Sequence, residues 1–118
     1  GKPWLRVNSD YARVNVERAR RDPASLLNYY RQLLTLRRAS PALRQGRYRA
    51  CDRAGEVFAY ERAAEDQRML IALNFSSRPA SINLEGEWRV RLSSITRAEA
   101  KVNHTLILAS NEAVVLEQ

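Results

Sequence analysis

Residues 69–75 read Met-Leu-Ile-Ala-Leu-Asn-Phe, and this nearly unbroken apolar run decides the fold class. An apolar run of this length between turn formers is typical of a central strand that is covered on both faces. Residues 81–84 and 88–92 alternate between polar and apolar side chains, which predicts further strands with one buried face. The C-terminal part of the chain is therefore predicted to be a β-sheet domain.

Seven short strands are predicted from residue 46 onward, and turn-forming residues separate them. Strands that recur about every 8–12 residues are typical of an antiparallel β-sandwich, here of Greek-key type. They cover residues 47–50, 57–60, 69–75, 81–84, 88–92, 105–109 and 113–116. The turns are predicted at residues 52–55, 65–67, 76–79, 85–86 and 110–111. The predicted core consists of Phe58, Tyr60, Leu70, Ala72, Leu73, Phe75, Ile82, Leu84, Trp88, Val90, Ile107 and Val115.

One amphipathic helix is predicted ahead of the sheet, over residues 23–38, and an extended loop precedes it. Asp22 is a suitable N-cap, Pro23 suits the first helical position, and Pro41 ends the helix. Arg37 falls among the apolar positions, either with its charged end in solvent or as part of a buried ion pair. The apolar residues cover about half of the helix circumference: Leu26, Leu27, Tyr29, Tyr30, Leu33, Leu34 and Leu36.

Length and composition fit one domain, or one small domain with an appended element, because the chain has 118 residues. Hydrophobic residues make up 45% and charged residues 28%, which is close to the average soluble protein. No apolar run approaches the roughly 20 residues of a membrane-spanning helix, and no signal peptide is recognised. The single cysteine, Cys51, excludes an intramolecular disulfide, which fits a reducing compartment. A cytoplasmic protein without a membrane partner is expected.

The net charge of +7 raises the question of a nucleic-acid partner. The arginines are spread from Arg6 to Arg97, and the densest run is the short segment at residues 18–21. A surface that stacks bases and neutralises phosphates needs aromatic residues interleaved with clustered cations. The chain has few such pairs, so no nucleic-acid partner is expected.

The sequence contains no recognisable catalytic, metal or cofactor site. It has no Cys-x-x-Cys motif, no histidine pair and no glycine-rich phosphate loop, and its only histidine, His104, is predicted at a strand edge. Glu65 and Asp66 are neighbouring carboxylates, but they fall in a predicted solvated turn, which is not the enclosed environment of a catalytic acid. The remaining glutamates of the sheet region are predicted at strand ends or turns: Glu61, Glu85, Glu87 and Glu112.

Three aromatic residues are candidates for a sugar-binding platform. Trp88, Tyr48 and Tyr60 lie on predicted strands, where an exposed ring would offer a flat face to a sugar. Alternating strand positions also supply core residues, which is the competing interpretation.

Residues 3–11, Pro-Trp-Leu-Arg-Val-Asn-Ser-Asp-Tyr, and the Asn-Val-Glu that follows at 15–17 resemble a loop late in a catalytic barrel. The matching proteins are oligo-1,6-glucosidases, α-glucosidases and trehalose synthases of glycoside hydrolase family thirteen, the α-amylase superfamily. Residues 22–43 resemble the last helix of their (β/α)₈ barrel. Residues 46–49, 57–62, 72–76 and 111–115 resemble strands of their C-terminal sandwich. Arg6 and Ser9 depart from the pattern, because family members often have proline there.

The resemblance implies a division of the chain into residues 1–43, a remnant of the barrel, and residues 44–118, the C-terminal sandwich domain. It implies a parent enzyme that cleaves or transfers α-glucosidic bonds with retention, using carboxylates on earlier barrel strands. None of those strands is present, so the chain is expected to be a non-catalytic accessory domain without cofactor or metal. An independent carbohydrate-binding module and, less favoured, a basic nucleic-acid-binding domain are the alternatives.

The resemblance also implies a missing partner, because the last barrel helix lies between barrel and sandwich. Without the barrel, one side of the helix has nothing to cover it, and an exposed apolar patch promotes association. Self-association is therefore expected through one set of helix residues: Leu26, Tyr30, Leu33 and Leu34.

Overall fold

The structure, a computed structural model, describes residues 1, 3–51, 55–95, 97 and 100–118. In this part of the chain, three helices precede six strands. The helices are α1 (Val16–Arg21), α2 (Leu26–Ala39) and α3 (Pro41–Gln45). The strands are β1 (Arg47–Ala50), β2 (Val57–Ala64), β3 (Gln67–Asn74), β4 (Ala80–Ser93), β5 (Lys101–Leu108) and β6 (Ala113–Glu117).

The strands pair antiparallel in the order β1-β2-β3-β6-β4-β5. The last strand does not continue beside β5 but returns to lie between β3 and β4, as in a Greek key. The apolar run at residues 69–75 forms most of β3, which has a partner strand on each side. The predicted class is therefore confirmed: mainly β, antiparallel, with a loop and a principal helix ahead of the sheet.

The sheet buries apolar side chains on both of its faces. The larger core takes residues from β2 to β6 and none from a helix, so the sheet covers itself as the two layers of a sandwich do. The smaller core lies beneath the helices, where Ala42 and Leu43 of α3 pack with Met69 and Ile71 of β3. The side chains that α2 adds to this smaller core are Tyr29, Leu33 and Leu36.

The predicted turn at residues 85–86 is wrong, because β4 continues through it as one strand. The β4–β5 register shifts between Asn83 and Glu87, so the extra residues form a β-bulge. Gly86 has a φ of +81°, a conformation that glycine adopts without the steric cost of a Cβ atom. The described part thus has six strands where seven were predicted. Of the predicted turn at 52–55, only Gly55 lies within the described residues.

Of the twelve predicted core residues, seven are buried, two are half-buried and three are exposed. The buried ones are Leu70, Ala72, Ile82, Leu84, Trp88, Val90 and Val115, while Tyr60 and Leu73 are half-buried at the smaller core. The exposed ones, where the prediction is wrong, are Phe58, Phe75 and Ile107. Phe58 alternates with the buried Val57 and Ala59, so its side chain lies on the opposite face of β2, which the helices cover only in part.

The helix begins three residues later than predicted. Ser25 is the N-cap of α2, and its hydroxyl accepts a hydrogen bond from the Asn28 backbone N–H at 3.2 Å. Asp22 instead ends α1, and its carboxylate accepts from the Ala24 N–H at 2.9 Å. The Asn28 side-chain amide donates to the carbonyls of Ala19 and Asp22, which satisfies groups at the end of α1. Residues 22–25 therefore form a turn between two helices.

Pro41 ends α2 but also opens α3. Neither α3 nor α1 is predicted by the sequence pattern, and α1 lies where an extended loop was expected. Ser40 caps α3, because its hydroxyl accepts from the Leu43 N–H at 3.1 Å. The same hydroxyl donates to the side-chain oxygen of Gln67 at 2.6 Å, and the Ala42 N–H donates to that oxygen at 3.2 Å. Gln67 thus fastens the α2–α3 junction to the start of β3.

Candidate functional site

Glu112 has no exposed side-chain surface. Its Oε2 accepts hydrogen bonds from the Arg97 guanidinium at 2.6 Å and from the Ala109 backbone N–H at 2.7 Å. Its Oε1 accepts from the Ser93 hydroxyl at 2.7 Å. Arg97 also donates to the Ile107 carbonyl at 2.8 Å. This network ties the end of β4 and Arg97 to the turn that joins β5 and β6.

Glu61 is a second buried carboxylate, inside β2 on the face that carries the larger core. Its Oε2 accepts hydrogen bonds from Arg49 of β1 and Arg68 of β3, both at 2.9 Å. The Arg68 guanidinium also lies over the Trp88 ring, 5.5 Å from its centre. Glu61 thereby links two neighbouring strands and holds both arginines in place.

Both carboxylates have a pKa below the ordinary glutamate value of 4.5. Burial raises the pKa of Glu61, but the hydrogen bonds and charges of Arg68 and Arg49 more than offset that effect. Burial likewise raises the pKa of Glu112, and the Ala109 N–H, the Ser93 hydroxyl and Arg97 more than offset it. A general acid needs a raised pKa, so this is the opposite of what a catalytic acid requires.

The sequence pattern gives no sign that either carboxylate is buried. It predicts both at strand ends or turns, whereas Glu61 lies within a strand and Glu112 is enclosed in the β5–β6 turn. The missed signal is the set of arginines that pairs with them, which lies 7 to 15 positions away in the sequence. Strand pairing brings Arg49 and Arg68 to Glu61, and the chain between β4 and β5 brings Arg97 to Glu112.

The other side chains considered for chemistry differ in their location and exposure. Glu65 and Asp66 are exposed in the β2–β3 turn, as predicted. Cys51 is half-buried against the larger core. His104 is exposed within the edge strand β5, opposite the β4 bulge, with a φ of +66°. Among the described residues, no group of three His, Cys, Asp or Glu side chains is placed to hold a metal ion.

The three aromatic residues considered for a sugar-binding platform differ in the exposure of their rings. Trp88 is only 2% exposed and donates its indole N–H to the Glu85 carbonyl at 2.9 Å, so it is a core residue. Tyr48 is 55% exposed, and Tyr60 is half-buried. The Tyr48 and Tyr60 rings lie 5.3 Å apart, and Phe58 lies 5.7 Å from Tyr60. Tyr48 therefore remains the one candidate of the three that offers an accessible ring.

A set of large apolar side chains is exposed ahead of the sheet, and we call them the N-terminal apolar residues. Its members are Trp4, Leu5, Val7, Tyr11, Val14, Val16, Leu26, Tyr30 and Leu34. Trp4 is 92% exposed and Leu26 is 79% exposed, although both are residue types that normally lie inside. A single exposed apolar residue is ordinary, but so many within residues 4–34 form an unusually apolar exposed surface.

On α2, the exposed and the covered apolar residues occupy different sides. Leu26, Tyr30 and Leu34 are spaced four apart, so they form one stripe along the helix. Leu33 is half-buried and packs against the smaller core, so only part of its surface is accessible. Arg37 is exposed and donates to the Leu43 carbonyl at 3.1 Å, which fits the interpretation with its charged end in solvent. None of the described helices is long and apolar enough to cross a membrane.

Comparison with known protein families divides the chain in two. Residues 1–46 match the family described as Alpha amylase, catalytic domain. Residues 50–112, more than half of the chain, match the family described as Maltogenic Amylase, C-terminal domain. The chain belongs to the α-amylase superfamily. The resemblance to this superfamily is thereby confirmed, and the N-terminal apolar residues all lie in the stretch that matches its catalytic domain.

Individual α-amylase relatives match over nearly the whole chain. Glucan 1,6-alpha-glucosidase of Streptococcus pneumoniae is 32% identical over 117 residues, which are 99% of this chain and 22% of that protein. Oligo-1,6-glucosidase of Heyndrickxia coagulans is 32% identical over 96 residues, which are 80% of this chain and 17% of that protein. The crystal structure of trehalulose synthase MutB from Pseudomonas mesoacidophila MX-45 superposes with a TM-score of 0.85 at 32% identity. That superposition covers 99% of this chain and 22% of MutB. The chain spans about a fifth of the length of these relatives.

Proposed function

We propose that the chain is the C-terminal supporting region of an α-glucosidase-type enzyme, which hydrolyses or transfers α-glucosidic bonds. Its own role is structural: it packs against the catalytic barrel and takes no part in the chemistry. The observation that carries this proposal is the set of exposed N-terminal apolar residues. They lie in the stretch that matches a catalytic domain, in a chain that spans about a fifth of its relatives.

The occupant that fits the N-terminal apolar residues is the rest of the catalytic barrel. Burying a large apolar side chain stabilises by roughly 1.5–3 kcal/mol, so leaving these residues in water forgoes a substantial free energy. The sandwich already covers the opposite side of α2 through Tyr29, Leu33 and Leu36. A helix with one side on the sandwich and the other on the barrel would join the two domains rigidly.

The absence of catalysis by this chain is the first testable part of the proposal. We expect no hydrolysis of p-nitrophenyl α-glucoside, maltose or isomaltose above the uncatalysed rate, because the buried carboxylates are ionised and held by arginines. Glucose release over a day at high protein concentration measures this, with heat-unfolded chain as the control. Turnover that disappears in Glu61→Gln or Glu112→Gln would contradict the proposal.

When the barrel is not present, a second copy of the chain can cover the helix stripe formed by Leu26, Tyr30 and Leu34. We propose that two copies pair through Leu26, Tyr30 and Leu34, with the accessible part of Leu33 at the edge of the contact. A two-fold arrangement is the simplest, because it places the same stripe on both sides of the interface. Such a pair would reflect the uncovered helix and not the assembly of the enzyme.

Sedimentation velocity over a range of protein concentrations tests this contact. The unchanged chain should pass from monomer to dimer, and the triple variant Leu26→Ser, Tyr30→Ser, Leu34→Ser should weaken association by at least about a hundredfold. The matched control replaces three equally exposed residues of the sheet region by serine: Phe58, Phe75 and Ile107. Two results would refute the contact: a chain that stays monomeric at high concentration, or a dimer that dissociates only when the three control residues are replaced.

A further inference from the structure

Burial in the helical region changes abruptly at Ser40. Neither α1 nor α2 contains a buried residue, although α2 is 14 residues long. Ser40 is 1% exposed, and Ala42 and Leu43 of α3 are buried. The stretch that matches the catalytic domain therefore has two parts. One part is an exposed arm, which we define as α1, α2 and the turn between them, residues 16–39. The other is a buried segment that begins at Ser40.

The buried segment is fastened to the strands by polar and close backbone contacts. The side-chain oxygen of Gln67 in β3 accepts from the Ser40 hydroxyl at 2.6 Å and from the Ala42 N–H at 3.2 Å. Gly46 follows α3 and lies so close to the Ala63 carbonyl of β2 that an added Cβ atom would be 2.9 Å from that oxygen. By its packing, α3 therefore belongs to the sandwich.

The two helices of the arm are tied to each other. The Ser25 hydroxyl donates to the Ala19 carbonyl at 2.6 Å. The Asn28 amide donates to the carbonyls of Ala19 and Asp22 at 3.0 Å and 2.7 Å. These hydrogen bonds satisfy carbonyls that the end of α1 would otherwise leave without donors. Because the side chains at the start of α2 cap the end of α1, the two helices can move as one body.

The contact of the arm with the sandwich is made by half-buried side chains. Tyr29, Leu33 and Leu36 pack against the smaller core, and all three keep part of their surface exposed. Arg37 adds a hydrogen bond from α2 to α3, because it donates to the Leu43 carbonyl at 3.1 Å. A single helix of 14 residues is only marginally stable in water. An arm that leaves the sandwich therefore also loses its helical hydrogen bonds.

We propose that the arm opens from the sandwich as one unit, with its hinge immediately before Ser40, while α3 stays in place. A surface that covers Leu26, Tyr30 and Leu34 binds only the closed arm and so holds it closed. The boundary between the two folding units then lies inside the stretch that matches the catalytic domain, and not at its end at residue 46. This proposal rests on packing within the chain and does not depend on the proposed function.

Native-state hydrogen exchange of the backbone amides, followed by NMR, tests the opening. It is measured below the protein concentration at which the chain associates, because a second copy would also hold the arm closed. We expect the amides of residues 30–36 in α2 to exchange at least about a hundredfold faster than those of residues 69–73 in β3. The Gly46 amide, which donates to the Ala42 carbonyl at 2.9 Å, reports on α3 and should follow β3.

Two matched leucine variants separate the arm from the sandwich. Leu33→Ala removes a contact of the arm with the smaller core, so it should speed exchange in α2 about tenfold and leave β3 unchanged. Leu43→Ala makes the same chemical change within α3, so it should speed exchange at Gly46 and leave α2 unchanged. Urea unfolding followed by circular dichroism verifies that the sandwich of each variant is folded.

Three results would overturn the hinged arm. Amides of α2 that exchange as slowly as those of β3 would mean that the arm does not open by itself. Leu33→Ala that speeds exchange in α2 and β3 by the same factor would mean that arm and sandwich unfold as one cooperative unit. A Gly46 amide that exchanges as fast as those of α2 would place the hinge after α3 and not before Ser40.

Discussion

Replacing Glu112 by glutamine is expected to lower the free energy of unfolding by about 3 kcal/mol at pH 7. The substitution keeps the shape of the side chain but removes its charge from a fully buried position. The glutamine carbonyl oxygen can take the place of Oε2 and accept from Arg97 and the Ala109 N–H. Its NH₂ group then replaces the oxygen that accepts from the Ser93 hydroxyl, so that hydroxyl must turn from donor to acceptor. The Arg97 guanidinium would also lose its counter-ion in a partly buried site. Urea unfolding followed by circular dichroism measures the difference.

The same variant should change how stability depends on pH. Because the pKa of Glu112 is lower in the folded chain than in the unfolded chain, its contribution is fully present above the ordinary value of 4.5. That contribution is lost as the pH falls through the lower folded value. Glu61 adds to the same acid-side loss, since its pKa is also lowered. The unchanged chain should therefore lose stability more steeply below pH 5 than Glu112→Gln does.

Glu17→Gln is the matched control for Glu112→Gln. Glu17 pairs with Arg21 one helical turn away, and both side chains are well exposed. An exposed pair of this kind contributes only a few tenths of a kcal/mol. If Glu112→Gln costs no more than Glu17→Gln, or leaves the acid slope unchanged, the buried network does not stabilise the β5–β6 turn.

Replacing Trp88 by alanine is expected to cost about 3–5 kcal/mol of unfolding free energy. Trp88 is 2% exposed and belongs to the larger core, and its ring also supports Arg68. Its removal leaves a cavity in the core. The Glu85 carbonyl loses one of its two donors and keeps the Gln118 amide, and the Arg68 guanidinium loses the ring beneath it. Urea unfolding followed by circular dichroism measures the effect, because the variant lacks the buried tryptophan that fluorescence would follow.

The chain carries its own control for this change, because it has two tryptophans. Trp4→Ala alters a side chain that is 92% exposed, so it should change stability by less than about 0.5 kcal/mol in the monomer. The comparison is made at a protein concentration below that at which the chain associates. Equal costs for the two substitutions would show that Trp88 does not anchor the core.

Some wrong predictions share one physical cause: alternation shows which residues share a face of a strand but not what covers that face. Phe58 and Ile107 lie on apolar runs, and the sequence analysis placed both in the core. The larger core takes their neighbours instead, and the helices do not extend over them. The bulge at Gly86 was predicted to be a turn, because a Glu-Gly pair is typical of turns as well as of β-bulges.

The sequence by itself determined the fold class, the principal helix and the superfamily, because apolar periodicity and the segments at residues 3–17 and 22–43 are local signals. Only the tertiary structure decided which charges are buried. The sequence places Glu61 and Glu112 at strand ends or turns, and only the folded chain brings Arg49, Arg68 and Arg97 against them. The tertiary structure also decided which side of α2 is covered. Leu33 packs against the smaller core and Leu34 is exposed, although the two are adjacent in sequence. Burial depends on what packs against a residue, and that partner is far away in the chain.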